Sequence, residues 1–102
     1  MFKILRPGQG GASPRMDQRV TVDYVGTFLD GSQFDSSYDE GKPAVFQVGQ
    51  VIEGWNEALL TMKKGEKRLL VIPPNLGYGE RGYPGAIPGN AFLVFEVDLL
   101  DF

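Results

Sequence analysis

Val51-Ile52-Glu53-Gly54-Trp55-Asn56-Glu57-Ala58-Leu59-Leu60-Thr61-Met62-Lys63-Lys64-Gly65 is the stretch that decides the fold. Trp55 is the single tryptophan, and Trp55, Ala58, Leu59 and Met62 repeat at i, i+3, i+4 and i+7, the spacing of one helical face. Just upstream, Val51 and Ile52 are β-branched and favour extended backbone. Lys63, Lys64 and Gly65 are expected to close the helix: the cations suit its negative end, and glycine takes a left-handed cap. A short helix with one bulky ring cannot stand alone in water. The rest of the chain must cover it, and the rest reads as strands.

Working outward, Glu66 to Ile72 reads as a strand stopped by Pro73-Pro74. Residues 73–90 form the longest loop, dense in glycine and proline, and a loop of that length in a compact domain is usually functional. Phe92 to Leu100 alternates strictly, with Leu93, Phe95, Val97 and Leu99 turned inward. On the other side of the helix, Val20, Val22 and Tyr24 face one way and Arg19, Thr21 and Asp23 the other. That strand is expected to run through Phe28 and Leu29 to a hairpin at Asp30-Gly31. Gln33, Phe34 and Asp35 return from it, Asp35 to Gly41 is a polar loop, and Pro43 to Val48 is another short strand with Phe46 and Val48 on one face. Phe2 to Arg6 is a weak edge strand, and Pro7 to Pro14 is a loop. Strands dominate without a βαβ rhythm, so the class is α+β, an antiparallel sheet curled over one short helix.

The 102 residues suffice for one core, and a single domain over 1–102 is expected. A net charge of −3 with scattered basic residues points away from nucleic acid. The absence of both Cys and His removes disulfides, structural zinc and the usual nucleophile and acid–base chemistry. No cofactor or metal is expected. No apolar run approaches a membrane span, and residues 1–8 are too short and interrupted for a secretory signal, so a cytoplasmic monomer is the expectation.

Two motifs fail on context. Gly77-Tyr78-Gly79-Glu80-Arg81-Gly82 fits G-x-G-x-x-G, but Pro84 and Gly85 follow where a helix is required. The run from Asp35 to Phe46 starts like a calcium loop, yet Glu40 stands where glycine is needed and Phe46 where the last ligand belongs. Asp35, Asp39 and Glu40 read as a solvated loop rather than a hydrolytic pair. The aromatics carry more. Tyr24, Phe34, Phe46, Trp55, Tyr78, Tyr83 and Phe95 lie on different elements, either as core or as the walls of a pocket for a small ligand or peptide.

Tyr24-Val25-Gly26, Asp30-Gly31-Ser32-Gln33-Phe34-Asp35-Ser36-Ser37, Val51-Ile52-Glu53-Gly54-Trp55, Tyr78-Gly79, Gly82-Tyr83-Pro84-Gly85 and Leu93-Val94-Phe95-Glu96-Val97 together resemble the FKBP-type peptidyl-prolyl isomerases. The resemblance covers nearly the whole chain, in order. It implies a half-barrel of five to six antiparallel strands over one helix, with a hydrophobic pocket between them. Trp55 would be the floor, and Tyr24, Phe34, Val51, Ile52 and Phe95 the walls, with Phe46 on the ligand side. Tyr83 and Ile87 would lie on an overhanging flap. Tyr78 would offer its hydroxyl, and Ile52 its backbone N–H, to carbonyls of the bound chain, while Asp35 would be the polar group at the edge. The implied partners are proline-containing polypeptides and macrolides such as rapamycin or tacrolimus; the alternative is a non-catalytic binding or chaperone domain. The chain departs from the family pattern at Ala44, Glu40 and Ala86, and the segment before Val51-Ile52 is about two residues short.

Overall fold

The computed structural model describes residues 1–102. Its strands are β1 (Phe2–Arg6), β2 (Arg19–Phe28), β3 (Gln33–Ser36), β4 (Ala44–Gln47), β5 (Lys67–Ile72) and β6 (Leu93–Asp101), with one helix, α1 (Glu53–Leu59). They form a six-stranded antiparallel sheet in the order β1-β5-β6-β2-β3, with β4 also on β2. The ten-residue β2 is long enough to carry two short partners: Val25–Thr27 pairs with β3 and Arg19–Val22 with β4. Between those partners the chain leaves the sheet through a 3-10 turn at Tyr38–Glu40.

The alternation along β2 and β6 sets the core. Val20, Val22, Tyr24, Leu93, Phe95, Val97 and Leu99 are buried, and Trp55, Ala58 and Leu59 of α1 close over them. Gly54 brings helix and sheet together, since a Cβ there would stand 2.8 Å from the Ile72 side chain. No helix is long and apolar enough to cross a membrane.

Several local expectations need correction. The helix begins at Glu53 and ends at Leu59, so Met62, Lys63, Lys64 and Gly65 lie beyond it. Its last turn tightens as Thr61 N–H donates to the Ala58 carbonyl and Arg68 Nη2 donates to the Thr61 carbonyl at 3.2 Å. Met62 is still fully buried, and Gly65 takes a positive φ of 83° in the turn leading to β5 rather than at the helix end. β2 stops at Phe28: Leu29 lies in the connection and is 69% exposed. Asp30 Oδ1 there accepts from the Ser32 N–H and hydroxyl, and Gly31 adopts a φ of 89°. The polar stretch after Asp35 is only partly solvated, because Ser36 and Ser37 are buried. The Ser37 hydroxyl accepts from Tyr24 N–H and donates to Asp23 at 2.9 Å, pinning the departing chain to β2.

Candidate active site

Tyr24, Phe34, Asp35, Phe46, Val51, Ile52, Trp55, Tyr78 and Phe95 come together around one open hollow of about 130 Å³. Trp55 is 4% exposed and forms its floor. Three rings stand nearly perpendicular to the indole: Tyr24 at 5.2 Å, Phe95 at 5.3 Å and Phe46 at 5.4 Å between centroids. Edge-to-face packing suits ring quadrupoles and fixes each wall. The indole Nε1–H is buried among them without a hydrogen-bond acceptor.

Phe34 owes its aim to a β-bulge. Gly26 pairs with Asp35 and Thr27 with Gln33, so Phe34 is the extra residue of β3. Bulges re-aim side chains in this way. The ring meets Phe95 at 5.4 Å and Phe28 at 4.8 Å. Gly26 makes the arrangement possible: a Cβ there would lie 2.7 Å from Phe95 and 2.8 Å from Phe34. Glycine inside a strand is the usual sign of such close approach by another group.

Tyr83 and Ile87 are not in that hollow. They line a neighbouring one of about 310 Å³ with Phe34, Asp35, Tyr78 and Ala86, so the two share the Phe34–Asp35–Tyr78 wall. A bridge between Tyr83 and Ile87 folds the loop back on itself; Ile87 is buried, whereas Tyr83 is 57% exposed and packs edge-on to Tyr78 at 5.7 Å. The turn needs Gly82, where φ is 67° and a Cβ would lie 2.3 Å from the Ile87 carbonyl oxygen.

The polar groups fall into two kinds. Tyr24 O–H donates to Asp35 Oδ2 at 2.6 Å, and Ser36 N–H donates to Asp35 Oδ1 at 2.9 Å. Burial, then the hydrogen bond and negative charge of Asp35, push the Tyr24 phenol well above its ordinary range. Burial and the Asp35 charge also raise Tyr78, but its hydroxyl has no partner in the protein. The Ile52 N–H is likewise uncommitted: Ile52 precedes α1 in extended geometry (φ −59°, ψ 150°), its carbonyl accepts from Trp55 and Asn56, and its amide donates to nothing. Val51 and Ile52 are held there by Asn56, which donates to the Val51 carbonyl at 2.9 Å.

The arrangement is an open aromatic hollow flanked by two donors without partners, the Ile52 N–H and the Tyr78 hydroxyl, with neither nucleophile nor base at its centre. Residues 10–100 match the family model described as FKBP-type peptidyl-prolyl cis-trans isomerase. FK506-binding protein 1 of Yarrowia lipolytica is 49% identical over 96% of this chain and 93% of its own length. The peptidyl-prolyl cis-trans isomerase Mip of Coxiella burnetii is 48% identical over 97% of this chain, which spans only 43% of that protein. The crystal structure of FkpA from Escherichia coli superposes with a TM-score of 0.92 at 48% identity, over 98% of this chain and 46% of that one. The chain belongs to the FKBP-type peptidyl-prolyl cis-trans isomerase family.

Proposed function

We propose that this chain accelerates rotation about Xaa-Pro bonds of polypeptides, assisting folding, without forming a covalent intermediate. The supporting observation is the open aromatic hollow floored by a buried indole and flanked by two unpaired donors. At about 130 Å³ it falls below the roughly 300–1,000 Å³ of drug-sized sites, so it suits one small ring rather than a whole ligand.

Rotation about an amide costs roughly 18–20 kcal/mol because nitrogen delocalisation is lost on twisting. The planar amide is dipolar and well hydrated, and the twisted form is less so. A site that strips water and offers apolar walls therefore favours the twisted form. Trp55, Tyr24 and Phe95 hold the proline ring. The Ile52 N–H and the Tyr78 hydroxyl hold carbonyls on either side while the bond turns. A gain of about 10⁴–10⁵ requires only about 5.5–7 kcal/mol, within the reach of orientation and desolvation together. Asp35 fixes the Tyr24 ring rather than moving a proton.

Macrolides fit the same geometry, with one ring in the hollow and the remainder across Tyr83 and Ile87. The proposed form is a monomer, and the proposed compartment is the cytoplasm, where a fold built without disulfides is at no disadvantage. Sedimentation and cell fractionation test those two points. Turnover of a proline-containing peptide, blocked by a macrolide, tests the activity. Binding of both ligands with no rate enhancement would replace the isomerase by a proline-peptide binding module.

A further inference from the structure

Asn56 is a polar side chain buried in the middle of α1, 4% exposed, and every arm of its amide is engaged. Its Oδ1 accepts from the Gly49 N–H at 2.8 Å, while its Nδ2 donates to the Val51 carbonyl at 2.9 Å and to Glu53 Oε1 at 2.8 Å. These partners allow the amide only one orientation. Turned over, it would point its NH2 group at the Gly49 N–H and its oxygen at two acceptors.

The partners belong to the chain that leads into the aromatic hollow. Residues 48–52 lie in no strand or helix, and Gly49 turns the backbone there at a φ of 100°. Neither the Val51 nor the Ile52 N–H has an acceptor, and the Val51 carbonyl accepts from the Asn56 side chain alone. That carbonyl and the Ile52 N–H are two ends of one trans peptide unit, which is planar, so they point in opposite directions. A carbonyl drawn onto Asn56 therefore turns the N–H away from Asn56, on the stretch where Val51 and Ile52 line the hollow.

We infer that Asn56 is a positioning residue of the site: by clamping the Val51–Ile52 peptide it presents the Ile52 N–H to the bound chain. This rests on the isomerase reading above and adds to it a residue that touches no substrate. Without the clamp the peptide unit is free to turn, and each binding event must fix it again. The Ile52 N–H holds its carbonyl equally in the planar and twisted forms, and losing such uniform binding raises KM while kcat stays. The rise is that of about one neutral hydrogen bond, roughly three- to tenfold.

The test measures kcat and KM for one proline-containing peptide with the parent, Asn56→Ala, Asn56→Asp and Arg68→Leu, each at a temperature where circular dichroism shows it folded. Asn56→Ala should raise KM about three- to tenfold and leave kcat within about twofold. Asn56→Asp keeps the acceptor for Gly49 but sets an oxygen against the Val51 carbonyl, so its KM should rise at least as far. Arg68→Leu, a buried change elsewhere, should lose stability and keep the parent KM. In amide proton NMR spectra the Ile52 signal should move when peptide is added to the parent, and move less in both Asn56 variants. A parent-like KM in Asn56→Asp would mean that holding the Gly49 turn is enough, and overturns the clamp. So does a KM rise shared by Arg68→Leu, which would make the effect one of stability. Should Asn56→Ala fail to fold, Asn56→Asp carries the comparison, since it keeps the Gly49 bond. If the parent turns over no peptide, the isomerase reading falls. Dissociation constants for the same peptide, read from Trp55 emission, then decide the role of Asn56 by themselves: weaker binding in its variants supports the clamp, and equal binding overturns it.

Discussion

Two hollows lie on either side of α1, and the larger one is not the candidate site. The back hollow, about 250 Å³, is lined by Met1, Phe2, Ala58, Thr61, Arg68 and Leu76 among others. Its buried polar groups are engaged, and the one carboxylate there without a partner, Glu57, is exposed. Arg68 donates through Nε to Glu66, through Nη1 to the Thr61 hydroxyl and through Nη2 to the Thr61 carbonyl, and its guanidinium sits 4.1 Å from the Phe2 ring centre. Glu66 also accepts from Lys63 N–H at 2.9 Å. The front hollow is half as roomy yet has the Ile52 amide, the Tyr78 hydroxyl and an unneutralised carboxylate facing it. Volume therefore does not set the proposed site apart; a backbone amide and a hydroxyl left without partners beside aromatic walls do.

The largest effect that would test this division comes from the back. Arg68→Leu leaves Glu66 buried without its counter-charge, which should cost about 3–5 kcal/mol of stability in urea unfolding. The folded fraction should still isomerise peptides as well as the parent, and a collapse of kcat/KM in that fraction would mean the two faces work as one. Phe34→Ala attacks the front. Loss of a ring from the wall should reduce kcat/KM by about 10- to 100-fold, equivalent to about 1.4–2.8 kcal/mol, with a smaller cost to folding because Phe34 is only half-buried.

Tyr78→Phe should cost one neutral hydrogen bond, about 0.5–1.5 kcal/mol, or about two- to tenfold in kcat/KM. Complete loss of turnover in a folded protein would instead make the hydroxyl a proton donor. The smallest effect lies in pH. Tyr24 and Tyr78 hold their protons above the ordinary tyrosine value of 10.0, so neither titrates in the neutral range. In the unfolded chain both lose them near pH 10. The folded form then binds more protons than the unfolded one, so their contribution to stability is complete below about pH 10 and falls as pH rises beyond it. Ultraviolet titration should show Tyr24 and Tyr78 ionising later in the folded protein than in urea.

The strands are legible in the sequence because burial on one face imposes a period of two, and Val20, Val22, Tyr24 and Leu93, Phe95, Val97, Leu99 follow it without a break. The hollow is legible because its rings sit on those same parities. What escapes is decided by partners far away in the chain. The helix stops at Leu59 although Met62 continues its spacing: the Thr61 N–H turns back to the Ala58 carbonyl in a tighter turn, and Arg68 on β5 takes the Thr61 carbonyl beyond it. Glu66 and Arg68 look like surface residues of a strand, yet both are buried, since each satisfies the other across a single intervening residue. The bulge that aims Phe34 is signalled in the sequence only by Gly26 inside β2; the unequal spacing of β3 against β2 shows it.

Because the only indole of the chain is also the floor of the proposed site, the protein carries its own optical gauge. Light emitted from that position will shift when water floods in during denaturation and shift differently when a guest displaces it. Occupancy and integrity can thus be followed in one cuvette, without attaching a dye.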